Sequence, residues 1–398
     1  MTNVLSIPEE MSSYLTFFQN SFSKPQFERF TEHMLSMIID PKYTSNRINN
    51  HFFHKVNQST SNRFLTESPW NEEEIEKKMF QLVLSCPSFP KYRIGALDDT
   101  LSHKKYAKKM EGVGNHHDHL NSTFSYGHDI VSIGIHTNQG LIPLVLKPYV
   151  KKKNILPHMK FKTKNEIAID AVKAFSRTIQ LDVMTMDSWY GNNTDLLCSL
   201  REQKIKFVAA IKSNRNITIK HKKQYVREYF RDLSEEDFQQ YEDQEGRKFR
   251  LHKTNGFISK LSNLTLLISQ IWNEDEEKWI DPFYIITDLL GKSEVEILQL
   301  YLKRSSIESF HREAKQHLNL ESYKLRNYKG IVRHLFLVVM AYVFLMLIMF
   351  SNKMEATIGQ MCEYIKRCCE TVSFQTVIKM DKKLLFETDT MRNLGLEV

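Results

Sequence analysis

Tyr301, Arg304, Glu308 and Lys315 bring four different polar chemistries to one short segment. Read as a helix turning about 100° per residue, the four fall within roughly 60° of one another. One face then carries an aromatic hydroxyl, a guanidinium, a carboxylate and an ammonium. Three of these suit phosphate oxygens, and the carboxylate suits a hard divalent cation. Two more carboxylates follow short apolar runs: Asp98, with Asp99 beside it, and Asp187. Asp98, Asp187 and Glu308 together are the donor set for two Mg2+ or Mn2+ ions. Such a pair can activate an attacking oxygen and stabilise a leaving one at phosphorus.

Strand ends and a following helix are the rigid supports this chemistry needs. Residues 93–100 read as a short buried strand ending in the Asp98–Asp99 pair, and 182–187 as a second strand ending in Asp187. Between them, apolar runs at 130–135 and 141–146 flank a turn at 137–140, a hairpin signal. Residues 164–179 show amphipathic helical spacing, 195–202 a second helix, and 207–211 a further strand. Residues 283–287 form the strand before one long helix that begins at Ser293 and carries the opening stripe.

The expected organisation has five parts. Residues 1–90 form a helical N-terminal domain with DNA binding as its leading role, and 91–211 the first part of an α/β core. Residues 212–281 form a partly β, charge-rich insertion, 282–352 the second part of the core, and 353–398 a helical tail.

Other patterns have plainer readings. His116, His117, Asp118 and His119 look like a metal cluster, but neighbours in a loop seldom converge on one ion, which favours a solvated loop. Glu308 and His311 have the spacing of a di-iron bundle, which needs a second copy that the sequence lacks. Lys151 to Lys153 read as a solvated strand end, and Lys104, Lys105, Lys108 and Lys109 as a basic loop.

The spacing from Tyr301 through Arg304 and Glu308 to Lys315 resembles the signature of bacterial DDE insertion-sequence transposases, in the IS-four-like group named for its Tyr-Arg-Glu-Lys motif. Asp98 with Thr100, and Asp187 followed by Trp189, Tyr190 and Gly191, are similar to that family's first and second carboxylate segments. The resemblance spans about 93–345 and implies an RNase H-like, retroviral-integrase-type core interrupted by a β-rich insertion. It implies that Asp98, Asp187 and Glu308 bind two Mg2+ or Mn2+ ions and that Tyr301, Arg304 and Lys315 hold phosphates of the element's end. His311 would touch DNA or order Glu308. Phe283, with Trp279 as the alternative, would receive a base extruded from the duplex. The partners implied are terminal inverted repeats, target DNA and further copies of the chain, as a homodimer or larger assembly. Ser305 departs from the Trp common there, and the choice of Asp98 over Asp99 rests on the Thr spacing.

A formal charge of +8 over 398 residues agrees with a polyanionic partner. Five cysteines with no Cys-x-x-Cys pair argue against structural zinc and for a reducing, cytoplasmic compartment. The first ten residues lack the basic and apolar regions of a signal peptide. The apolar run 335–350 falls just short of a membrane span and is expected as a buried core helix.

Overall fold

The computed structural model describes residues 4, 6–52, 56–107, 109–118 and 122–379. Lys108 of the basic loop, His119 of the histidine run, residues 1–3 and the end of the tail from 380 lie outside the described residues. Four helices open the chain: α1 (Glu9–Thr16), α2 (Lys24–Ile39), α3 (Gln58–Thr66) and α4 (Glu72–Leu84). The sheet begins with β1 (Ile94–His103), β2 (Gly114–Asp118), β3 (Thr123–Thr137) and β4 (Gly140–Tyr149). It continues through α5 (Lys164–Phe175), β5 (Val183–Met186), α6 (Ser188–Gly191), α7 (Thr194–Glu202) and β6 (Lys206–Ile211). Next come β7 (Asn216–Ile219), β8 (Lys222–Tyr225), α8 (Val226–Arg231), β9 (Gln239–Glu242), β10 (Lys248–Ile258), β11 (Leu261–Asn273), β12 (Lys278–Trp279) and β13 (Phe283–Thr287). The described chain closes with α9 (Glu294–Leu302), α10 (Ser305–His317), α11 (Tyr328–Asn352) and α12 (Ile358–Lys379).

The strands form one mixed sheet. Its first half runs β4, β3, β1, β5, β6: the β1–β3–β4 meander is antiparallel, whereas β1, β5 and β6 are parallel to one another. Parallel neighbours need crossover connections, and α5 and α7 supply them. β13 then pairs antiparallel with β6, and β11, β10, β7 and β8 extend the same sheet beyond it. The strands of 212–281 therefore widen the sheet.

α11 is the pillar of the fold. By length and composition it could cross a bilayer, yet 89% of its most apolar window is buried inside the protein. It packs on β4 from one side and on α2, α3 and α4 from the other. Arg333, almost fully buried near its start, donates to the carbonyls of Phe64, Ser68 and Trp70, pairs with Glu72, and lies 4.0 Å above the Trp70 ring. A buried guanidinium needs such complete satisfaction, and it ties the N-terminal helices into the core rather than leaving them a separate body. Phe18, Phe30, Met34 and Phe64 join the same hydrophobic cluster as Leu335, Phe344 and Ile348.

The single long helix expected from Ser293 is in fact two. α9 stops at Leu302 and α10 starts at Ser305. The Ser305 and Ser306 hydroxyls donate to the carbonyls of Leu302 and Lys303, at 2.9 and 2.8 Å. The backbone N–H groups of Arg304, Ser306 and Ile307 meanwhile bond three residues back. Serine hydroxyls competing for helix carbonyls tighten and turn the chain at this point.

Candidate active site

Register alone brings the first two carboxylates together. Parallel pairing of β1 with β5 runs from Ile94 opposite Val183 to Leu97 opposite Met186 and stops there. Asp98 and Asp187 are the next residue on each strand. Asp98 does not end its strand, as the sequence suggested; β1 continues to His103 against β3, with Asp98 opposite Ser132. Asp187 caps α6, its Oδ1 accepting from the N–H groups of Trp189 and Tyr190 at 3.0 and 3.1 Å. α6 packs closely on β6 because residue 191 is glycine: an added Cβ would stand 2.0 Å from the Ala210 carbonyl oxygen. Glu308 arrives in the first turn of α10, which packs across β1, β3 and β4.

Arg304, in the break between α9 and α10, joins two of the three. Its guanidinium donates to Asp98 Oδ2 at 2.9 Å and to Glu308 Oε1 at 2.5 Å. The break aims this side chain, since Arg304 and Glu308 remain one turn apart while α9 diverges. Burial pushes the Asp98 carboxyl up to about 6; Arg304 opposes that rise, while the charges of Asp187 and Glu308 add to it. Two carboxylates thus meet on one guanidinium with Asp187 close enough to act on Asp98, and Glu308 is 55% exposed at the rim.

Asp99 points to the opposite face, as alternation along a strand requires. There Lys164 Nζ lies 3.0 Å from Asp99 and 3.1 Å from Asp129, and His116 Nδ1 is 3.6 Å from Asp129. Burial and then the Asp129 charge push Asp99 up to about 8, whereas Asp129 is held low by its His116 bond and by Lys164. Of the pair, Asp99 is the carboxyl pushed toward its protonated form and Asp129 the one held ionised.

The remaining expected site residues divide. Tyr301 is buried under the rim, 5.1 Å between its ring and that of Phe283, and burial raises its hydroxyl to about 12. Phe283, at the head of β13, keeps 41% of its surface exposed. Trp279 is not beside them; it packs on Trp272 and under Arg250 in the extension of the sheet. Lys315 donates to the Leu101 carbonyl at 2.8 Å and pairs with Glu321, bracing α10 against β1. His311, expected at DNA or at Glu308, is instead buried against Ser132 Oγ at 2.7 Å, and burial lowers it to about 3. A neutral, enclosed imidazole has no face for a phosphate. His116 to Asp118 form β2 rather than a loop, with His116 and Asp118 buried and His117 facing outward. That alternation separates neighbouring histidines instead of gathering them.

Residues 46–229 match a family described as DDE superfamily endonuclease, and residues 156–344 match the Transposase DDE domain. Each match covers a little under half of the chain, and together they run from 46 to 344. Over 286 residues it is 24% identical to a probable transposase for insertion sequence element IS701 from Microchaete diplosiphon, covering 69% of this chain and 70% of that protein. The DDE domains imply an RNase H-like α/β fold, in keeping with the mixed sheet described above. Asp98 lies within the first match, Asp187 within both and Glu308 within the second.

The carboxylates of Asp98, Asp187 and Glu308 offer the oxygen donors that a hard cation prefers, on rigid supports. Among the described residues, no group of three or more Asp, Glu, His or Cys side chains already stands as a metal-holding set; Arg304 occupies two of the carboxylates instead. Sequence reasoning missed Asp129 and Lys164, and it placed His116 in a solvated loop. Each comes from a different element, and the only hint was charge beside otherwise apolar strands. Trp189, named there only as part of the second carboxylate segment, has its ring 4.3 Å from Lys164 Nζ.

Proposed function

We propose that this protein is a DNA transposase that cleaves phosphodiesters at the ends of an insertion sequence and joins the freed ends to target DNA. Asp98, Asp187 and Glu308 are its catalytic carboxylates. The observation that carries this reading is Arg304 bridging Asp98 to Glu308 beside Asp187, so that three carboxylates remote in sequence meet within the matched domains. We place the chain in the Tyr-Arg-Glu-Lys group on the spacing of Tyr301, Arg304, Glu308 and Lys315.

The carboxylates would hold two Mg2+ or Mn2+ ions once Arg304 releases them. Bound ions of this kind activate an attacking oxygen and stabilise the leaving one. The released guanidinium then has a phosphate as its natural partner, because its fork matches paired oxygens. Water attacks first and frees a 3′-hydroxyl; that hydroxyl then attacks a second phosphodiester. Tyr301 stays protonated and positions the strand rather than attacking it. Phe283 offers an open ring for a displaced base. The working form is a homodimer or larger assembly on paired ends, acting on DNA in the cytoplasm.

Joining separates this activity from plain nuclease action. Incubated with Mg2+, a pre-cut end and supercoiled target, the protein is expected to give covalently joined product. Cleavage without joining supports an RNase H-like nuclease instead, and full cleavage by Asp187→Ala contradicts the assignment of the site.

A further inference from the structure

We propose that the groove between residues 103–107 and 109–110 on one side and the 321–326 segment on the other is the track for the duplex flanking the reacting phosphate, engaging it about half a helical turn away. This rests on the carboxylates being the site of phosphodiester chemistry. The groove encloses about 1270 Å³. Lys105 and Lys109 stand exposed on one wall, with Lys42, Lys324 and Arg326 exposed among its other lining residues. Glu321 is the one acid among its described lining residues, and its carboxylate is already paired with Lys315 at 2.8 Å.

The walls are fixed to each other. Buried Lys104 donates to the carbonyls of Glu321 and Tyr323 and lies 3.5 Å over the Tyr323 ring. The Glu111 N–H donates to the Arg326 carbonyl at 2.9 Å, and the Glu111 carboxylate accepts from the Tyr328 N–H at 2.7 Å. Lys104 is therefore the structural lysine here, whereas Lys105 and Lys109 are exposed, Lys105 lying 5.6 Å over the Tyr106 ring. A preorganised groove with outward ammonium groups matches a backbone of regularly spaced phosphates.

β1 sets the distance. From Asp98 to His103, at the mouth of the groove, the strand advances roughly 17 Å at about 3.3 Å per residue. That equals about five base pairs at 3.4 Å each. Lys315, bonded to the Leu101 carbonyl, marks the midpoint. Tyr106, 85% exposed at the lip, is an aromatic available to a base step or a sugar. A single strand is the poorer occupant, because its usual platform is a row of exposed aromatics, whereas Tyr323 in this groove is buried.

The test is salt-dependent binding of a labelled duplex about two helical turns long, in EDTA so that no cleavage intervenes. Removing three phosphate contacts in Lys105→Ala/Lys109→Ala/Lys324→Ala should lower the slope of log K against log salt by about 2.7, with weaker binding at low salt. The triple Lys→Arg variant should restore the slope. An unchanged slope in the Ala variant overturns the groove, as does a loss seen with single-stranded RNA but not with duplex. Cleavage by Glu308→Gln, assayed separately with Mg2+, reports on the carboxylates alone. Failure of the groove and failure of the catalytic reading are thus distinguishable.

Discussion

Asp98 and Asp99 are neighbours on one strand with opposite surroundings. On the Asp98 face Arg304 bridges Asp98 and Glu308 beside Asp187, and the rim is open at Glu308. On the Asp99 face two carboxylates meet Lys164 and His116 inside the protein, and burial with the Asp129 charge pushes Asp99 toward its protonated form. The first cluster is short of positive charge and reachable from solvent, which is what a cation or a phosphate requires. The second is balanced and closed, and it ties β1, β3 and α5 together. A buried carboxylate pair can thus serve as scaffold while an adjacent one serves chemistry; what differs is access and the count of compensating charges.

The comparison can be broken from either side. The largest effect belongs to the open face: Glu308→Gln should lower metal-dependent cleavage by about 10³-fold or more while duplex affinity in EDTA stays within a few-fold. Retained cleavage would mean the open cluster is not the site. On the closed face, Lys164→Met strands two acids and should cost about 3–5 kcal/mol, read as a lower midpoint in urea unfolding. No loss of stability would mean that the cluster does not brace the sheet.

Asp99→Asn keeps the shape of a protonated carboxyl and should change stability at about pH 4 by only about 1 kcal/mol or less. Its pH dependence is more telling. Asp99 is raised from its ordinary value near 4 to about 8, so its contribution is fully present below pH 4 and is lost as pH rises toward 8. The thermal midpoint of Asp99→Asn should therefore gain on the wild type steadily between pH 4 and 8. A constant difference would show that Asp99 ionises freely. Phe283→Ala should have the smallest effect, leaving stability nearly unchanged because the ring is 41% exposed, and slowing cleavage only where a base must leave the stack.

Much of the site was legible because its residues recur at helical offsets or follow apolar runs. Spacing located Tyr301, Arg304, Glu308 and Lys315, and the hairpin of β3 and β4 announced itself through its turn. The break at Ser305 was hidden, because serine hydroxyls disrupt a helix through geometry that propensity does not encode. Which of Asp98 and Asp99 faces Arg304 depended on the pairing of β1 with β3 and β5, a long-range fact. The role of Arg304 as a bridge between carboxylates, rather than a free phosphate ligand, and the inward turn of His311 were invisible for the same reason. So was the merging of the N-terminal helices with α11, which depends on Arg333 finding carbonyls more than 260 residues away.

The most direct measurement is Mg2+-dependent cleavage and joining by Asp98→Asn and Asp99→Asn, purified and assayed side by side on the same DNA end. Loss of product with Asp98→Asn and near wild-type product with Asp99→Asn is the result predicted here. Equal loss in both, or loss with Asp99→Asn alone, would contradict the division of this strand into a catalytic face and a structural one.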